Sequence, residues 1–270
     1  MYDAHIPKVR DVNVQRALSP QGKYAILISW NTIVPNVPDV QGFNIYRSVD
    51  SVNWNLVNSL PVQTNNYLDD SADLIFGQDY YYKVTFIDNN SQESALDDAD
   101  IVSVLTQEYD VDGFNGRLLR VSIEQIRRLN LIWQNTGEKV WFVVRQYVGQ
   151  KCPRCYDFNT HKARDPRCPV CFGTGIENGY KAVEGYLHIA PATAQYIRAP
   201  EGFIPNYVVV AYTGVYPLLT SNDFVIRTRT GERFFINSVD VIINQGFVLM
   251  QTVRMQVAEK GHAIYDWEVV

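Results

Sequence analysis

The 270-residue chain is predicted to be mainly β: a sandwich over residues 1–107, a linker over 108–120, and a small barrel over 121–270 with one helix and an inserted four-cysteine hairpin at 150–178. Three observations lead there. Short stretches of alternating apolar and polar residues, separated by turn residues roughly every eight to twelve positions, fill the first hundred residues, the pattern of two packed antiparallel sheets. The last ninety or so residues repeat the alternation around glycine-containing turns, and closing them into a barrel hides edges that would otherwise aggregate. Between these regions one short segment holds all four cysteines of the chain.

In the first region, residues 24–30 (YAILISW) alternate and end in Trp30. Residues 42–48 (GFNIYRS) place Phe43 and Ile45 on one face and Tyr46 on the other. Residues 50–54 (DSVNW) read as a hairpin turn followed by a packed Trp54. Residues 80–87 (YYYKVTFI) are aromatic and β-branched, which favours a half-buried pleated surface, and residues 88–91 (DNNS) supply the next turn.

This order resembles the fibronectin type III family: Pro7 before the first strand, Trp30 on the second, residues 42–47 on the third, residues 79–84 (DYYYKV) on the sixth, and residues 90–94 (NSQES) leading into the last. The resemblance spans about 100 residues and implies that Trp30 and Tyr46 or Tyr82 fill the core between two sheets. Domains of that family bind or space other proteins and rarely catalyse, so the fold alone leaves function open.

Residues 110–116 (DVDGFNG) form the Gly- and Asp-rich link. A capping box at Ser122 to Gln125 is expected to start one amphipathic helix, with Ile123, Ile126, Leu129 and Ile132 spaced by three and a stop at residues 135–137 (NTG). Residues 140–148 then run as a strand into the cysteine segment. The chain leaves that segment through Gly179 and returns as a strand over 182–189, so the segment is expected at the tip of a long hairpin.

Cys152 and Cys155 form one Cys-x-x-Cys pair, and Cys168 and Cys171 form another twelve residues on, followed by residues 172–175 (FGTG). Two such turns place four sulfurs on one ion, the spacing of a structural zinc site. With every position filled by cysteine, the ion has no open position at which to activate water. Two disulfides would need an oxidising compartment, and residues 1–7 (MYDAHIP) lack the basic then apolar run of a secretory signal. His161, inside the loop, is expected to be solvated. Gly173 and Gly175 are expected to free backbone N–H groups for the Cys168 and Cys171 sulfurs. Residues 168–175 also resemble half of the zinc region of the DnaJ co-chaperone family. The first cysteine pair lacks the matching glycines and no J-domain is present, so the turn chemistry carries over and the chaperone function does not.

No catalytic constellation is legible, and the chain is expected not to be an enzyme. Only four histidines occur: His5, His161, His188 and His262. His188 sits in an alternating strand, and Asp97, Asp98 and Asp100 read as a solvated loop. No apolar run is long enough to span a bilayer as a helix, so no membrane partner is expected. The formal charge is −5; residues 1–107 carry 6 basic against 13 acidic side chains, and residues 108–270 carry 18 against 16. Arg154, Lys162, Arg164 and Arg167 make the cysteine loop basic and offer a possible DNA contact.

The barrel region pairs residues 223–230 (DFVIRTRT) with residues 233–239 (RFFINSV) across Gly231, and residues 241–243 (VII) with residues 247–253 (FVLMQTV), before a terminal strand at 264–269. This order, with an Asp-bearing loop at 219–223 (LTSND), resembles the head-closure or stopper proteins in the neck of tailed bacteriophages. The resemblance covers about 90 residues. It implies a virion protein assembled in the host cytoplasm, forming a homo-oligomeric ring that joins portal, adaptor or tail proteins, with Trp267 and alternating strands supplying edges. A tail or baseplate component and a nucleic-acid-binding zinc module are the alternatives. An extracellular adhesion protein would need a signal peptide and disulfides.

Overall fold

The computed structural model describes residues 8–33, 40–75, 77–88, 90–104, 114–160, 162–190, 193–199, 202–244 and 247–268. Pro7, His5, His161, Gly246 and residues 108–113 of the expected linker lie outside them. The fold is mainly β, with a sandwich, a closed barrel, one α-helix among the described residues and a cysteine cluster inserted in a hairpin. No helix among the described residues is long and apolar enough to cross a membrane.

The sandwich has a three-stranded and a four-stranded sheet. Strands β1 (Lys8–Leu18), β2 (Tyr24–Ile33) and β5 (Asn66–Asp69) pair antiparallel, with Leu18 opposite Tyr24 and Ile26 opposite Asp69. The other sheet runs β4 (Asn55–Leu56), β3 (Val40–Ser48), β6 (Tyr80–Asp88), β7 (Val102–Val104). Alternation sends Ile26, Ile28 and Trp30 from one sheet against Phe43, Ile45, Tyr82 and Val84 from the other. Trp30 meets Phe43 edge-on at 5.3 Å. Of the two tyrosines expected in the core, Tyr82 is fully buried and donates its hydroxyl to Asp69 at 2.9 Å, while Tyr46 is only partly buried. Asp69, itself fully buried, also accepts Arg47 at 2.9 Å, so both charges are paired. Trp54 is covered by the Lys83 ammonium at 4.9 Å.

Helix α1 spans Phe114–Thr136. It begins eight residues before the expected capping box, inside the stretch read as linker. Arg117, Leu118, Leu119 and Arg120 are strong helix formers and carry the helix back past Ser122. The buried face also differs from the expected one: Ile126 and Trp133 are buried, whereas Ile132 is 51% exposed. A spacing of three loses 60° per step, so Ile132 lies half a turn from Ile123. Seven residues return to the same face, as Ile126 and Trp133 do. The helix ends where expected, with the Gly137 N–H bonded to the Trp133 carbonyl at 2.8 Å.

The barrel closes through six strands. β8 (Glu138–Arg145) pairs with β11 (Tyr180–Ile189), β11 with β13 (Gly202–Thr213), β13 with β16 (Phe247–Val257), β16 with β15 (Arg233–Asn244), β15 with β14 (Phe224–Arg227), and β14 returns to β8. Val140, Phe142, Leu187, Ala211, Val225, Ile236, Val253 and Met255 fill its interior. β12 (Thr193–Ala199) is added along β13. The two expected segments 233–239 and 241–243 are one strand, continued through an irregularity between Ile236 and Ser238. The expected terminal strand is a 3-10 turn, Ala263–Asp266, in which the His262 ring nitrogen accepts the Ile264 N–H at 3.2 Å. Trp267 is buried edge-on against Phe224 at 5.8 Å and offers no exposed edge, because its large apolar ring is better placed in the barrel wall.

Two buried polar side chains hold the loop before β14. Fully buried Gln251 accepts the Leu219 N–H at 2.9 Å and donates to the carbonyls of Gly214, Val215 and Pro217 at 2.9, 3.2 and 2.8 Å. Asp223 accepts the N–H groups of Arg145 and Thr220 and the Thr220 hydroxyl, at 2.7, 2.6 and 2.9 Å. Burial outweighs these donors and pushes the Asp223 carboxyl up to about 6. The folded state therefore holds the proton more tightly than the unfolded chain, and stability falls as pH rises from about 4 to about 6. Urea denaturation at pH 4 and pH 7 is expected to show most of that contribution, bounded by about 3 kcal/mol, and Asp223→Asn is expected to remove it.

Candidate metal centre

The cysteine loop leaves β8 after Arg145 and rejoins β11 at Tyr180, the last pair of that ladder, with Gln146 N–H bonded to the Gly179 carbonyl at 2.9 Å. Although inserted between two barrel strands, Gln146–Gly179 forms one compact unit with Lys23–Arg120 and the first strand. Tyr147 N–H bonds Gln63 O and Gly149 N–H bonds Val40 O, both at 3.0 Å, and Val148 is buried among the sandwich core residues. The second compact unit holds Val121–Arg145 and Tyr180–Val270, so the expected 121–270 domain is interrupted where the loop departs.

Within the loop, each half is a tight turn closed by backbone bonds: Tyr156 N–H to Cys152 O, 3.2 Å, and Phe172 N–H to Cys168 O, 2.8 Å. Cys152 N–H reaches Gly175 O at 2.9 Å and ties the two halves together. A two-stranded ladder, β9 (Tyr156–Asp157) with β10 (Lys162–Ala163), spans the interval between the pairs. Gly173 has φ +81°, and a Cβ there would stand 3.0 Å from the Pro166 carbonyl oxygen, so any larger residue would strain the turn.

All four cysteines are buried, with their sulfurs within 4.8 Å of one another. Cys152 Sγ lies 3.8 Å from both Cys155 and Cys168, and Cys155 lies 3.2 Å from Cys171. These separations are too long for disulfide bonds and the thiols are free. A tetrahedron with metal–sulfur arms of about 2.3 Å has edges of roughly 3.8 Å, so the spacing and the all-sulfur donor set fit a soft, four-coordinate ion.

Electrostatics within the cluster are uneven. Burial pushes the Cys155 and Cys171 thiols up, with neighbouring sulfurs adding to the effect at Cys155. At Cys168 burial acts in the same direction, but N–H groups of Val170 and Cys171 outweigh it and hold the thiol down at about 7. Cys171 receives the N–H groups of Gly175 and Gly173. The two glycines thus serve Cys171, and Cys168 is served from within its own turn. A metal must displace the remaining protons, so binding is coupled to pH.

Around the cluster, Arg154, Lys162, Arg164 and Arg167 are exposed, Arg164 pairing with Asp157 at 3.2 Å. Phe158 is 67% exposed and stands edge-on to Tyr156 at 5.0 Å. Asp97, Asp98 and Asp100 are exposed as expected. His188 is partly buried beside Tyr212 at 6.5 Å, in no cluster with the other histidines among the described residues.

No family model and no curated protein matches the chain. Among solved structures, an Fn3-like protein from Clostridium thermocellum is similar at 20% identity over 37% of this chain and 92% of that one, with a TM-score of 0.27. A beta-1,2-glucanase from Parabacteroides distasonis is similar at 24% identity over 49% of this chain and 17% of that one, also at 0.27. Titin kinase with its flanking domains is similar at 8% identity over 94% of this chain and 38% of that one, at 0.29. At these scores none of the likenesses bears on activity.

Proposed function

We propose that the chain is a non-catalytic assembly protein of a tailed-bacteriophage virion, forming a ring at the head-to-tail joint, with a zinc ion as a structural staple in its cysteine loop. The observation that carries this reading is the closed six-stranded barrel, with the Asp223 loop leading into the β14–β15 hairpin as in the neck proteins the sequence resembles. Four buried thiolates favour zinc among soft ions and leave it no position for a substrate.

Charge separates this reading from a nucleic-acid-binding zinc module, which the exposed Phe158 would otherwise favour. Residues 150–178 contain five Lys or Arg against three Asp or Glu, and four thiolates on a divalent ion subtract two more, so the loaded loop carries no net charge. Phosphate binding depends on excess positive charge, and little is left. Native mass spectrometry of the purified chain tests the assembly reading. A single closed oligomer holding one zinc per chain is expected. A metal-bound monomer whose Arg154, Lys162, Arg164 and Arg167 variants lose salt-dependent DNA affinity would replace it with the module.

A further inference from the structure

Helix α1 buries one side and leaves the opposite side bare. Ile126 and Trp133 are buried, whereas Val121 and Leu131 are 52 and 58% exposed, with Ile132 beside them. Successive helical residues turn by about 100°, which brings Val121, Glu124, Arg128 and Leu131 into one stripe directly across the helix from Ile126 and Trp133. Their spacing of three, four and three is that of the seam along which two helices pair. All four residues belong to the second compact unit.

The centre of the stripe is charged, with Arg128 paired to Glu124 at 2.9 Å along the helix and both side chains largely exposed. Read from the N-terminal end, the stripe runs apolar, acidic, basic, apolar. Read from the other end it runs apolar, basic, acidic, apolar, so the stripe is the complement of its own reverse.

We infer that α1 pairs with α1 of a second copy, antiparallel, about a two-fold axis at the level of residue 126. Val121 lies five residues before that level and Leu131 five after it, so each meets the other across the axis. Glu124 and Arg128 lie two before and two after, so each carboxylate meets a guanidinium of the other copy. A parallel pair would set Glu124 against Glu124 and Arg128 against Arg128, and charged seam residues select orientation and register in this way. The second copy is the occupant because one stripe supplies both signs at matching distances from the axis. Such an isologous contact joins copies two at a time and cannot close the ring proposed above, so it stands apart from that reading and would join two rings, or two free chains, face to face.

Charge reversal followed by sedimentation tests the pairing. Glu124→Arg makes all four central charges positive and Arg128→Glu makes all four negative, so each variant alone is expected to self-associate about tenfold or more weakly. Mixed in equal amounts the two variants are expected to pair with each other, and the double variant E124R/R128E to pair with itself again. Gln125→Cys, exposed and next to the axis, is expected to give a two-chain product with a short bismaleimide that the wild-type chain, with its four cysteines buried, does not give. Reversals that leave association unchanged, or losses that neither mixing nor the double variant restores, overturn the pairing. A closed ring indifferent to the reversals keeps the ring and removes the helix pair, a two-chain species that follows them keeps the helix pair and removes the ring, and a wild-type monomer at its highest soluble concentration removes both.

Discussion

Stripping the metal with a strong chelator is expected to turn residues 150–178 into freely exchanging chain while barrel amides stay protected. Apparent binding free energies of structural zinc sites are about 10–16 kcal/mol, several times what this loop can draw from its own packing. Among the described residues, Tyr156, Ala163 and Val170 are the partly buried apolar neighbours packed on the four sulfurs, too little apolar area to order some thirty residues unaided. Without the ion, four buried thiols at 3.2 to 3.8 Å would have only weak S–H contacts between them. Amide exchange followed by mass spectrometry, beside elemental analysis for one zinc per chain, reads both halves of the expectation. A Cys168→Ala/Cys171→Ala chain is expected to reproduce the stripped state. Unchanged exchange after complete removal of the ion would mean that the loop folds without it.

Replacing Gln251 by Leu is expected to destabilise the barrel by about 3–5 kcal/mol, because one buried N–H and three carbonyls, two of them buried, lose their partner at once. Gln251→Glu is expected to do at least as much damage. The Nε2 that donates to Gly214, Val215 and Pro217 becomes an oxygen facing three carbonyl oxygens in a site with no exposure. Urea denaturation of the two variants checks both the size and the order of the losses. A loss under 1 kcal/mol for the Leu variant would show that the 214–219 loop holds its place by packing alone.

Much of this was legible because the relevant signals are local. Cys-x-x-Cys spacing, the Trp30 strand and the Gly137 stop each depend on a few neighbouring residues, and each lies where the sequence places it. The helix starts earlier than the capping pattern at Ser122 suggests because that pattern is only a local option, and the helix-forming residues Arg117 to Arg120 before it favour extending the element despite Gly116. The terminal residues 264–269 alternate like a strand, yet the barrel is already closed, and His262 caps a 3-10 turn instead. Gln251 gave no signal at all. Its partners lie 32 to 37 residues away, and no periodicity marks a residue whose role is to bond a distant loop. The cysteine loop reads from its flanks as part of the barrel region, because nothing in the sequence shows that Val148 belongs to the core around Trp30 and Phe43.

That placement of Val148 has a consequence for the order in which the chain is made. On the ribosome the sandwich strands emerge first, but the side chain that completes their core is encoded 44 positions after Val104. Domains commonly fold as soon as their own sequence clears the exit tunnel. Here the N-terminal portion must wait for the start of the other unit, with its hydrophobic surface incompletely covered meanwhile. A gene cut at the apparent boundary near residue 110 would yield a first half that never receives its last core residue.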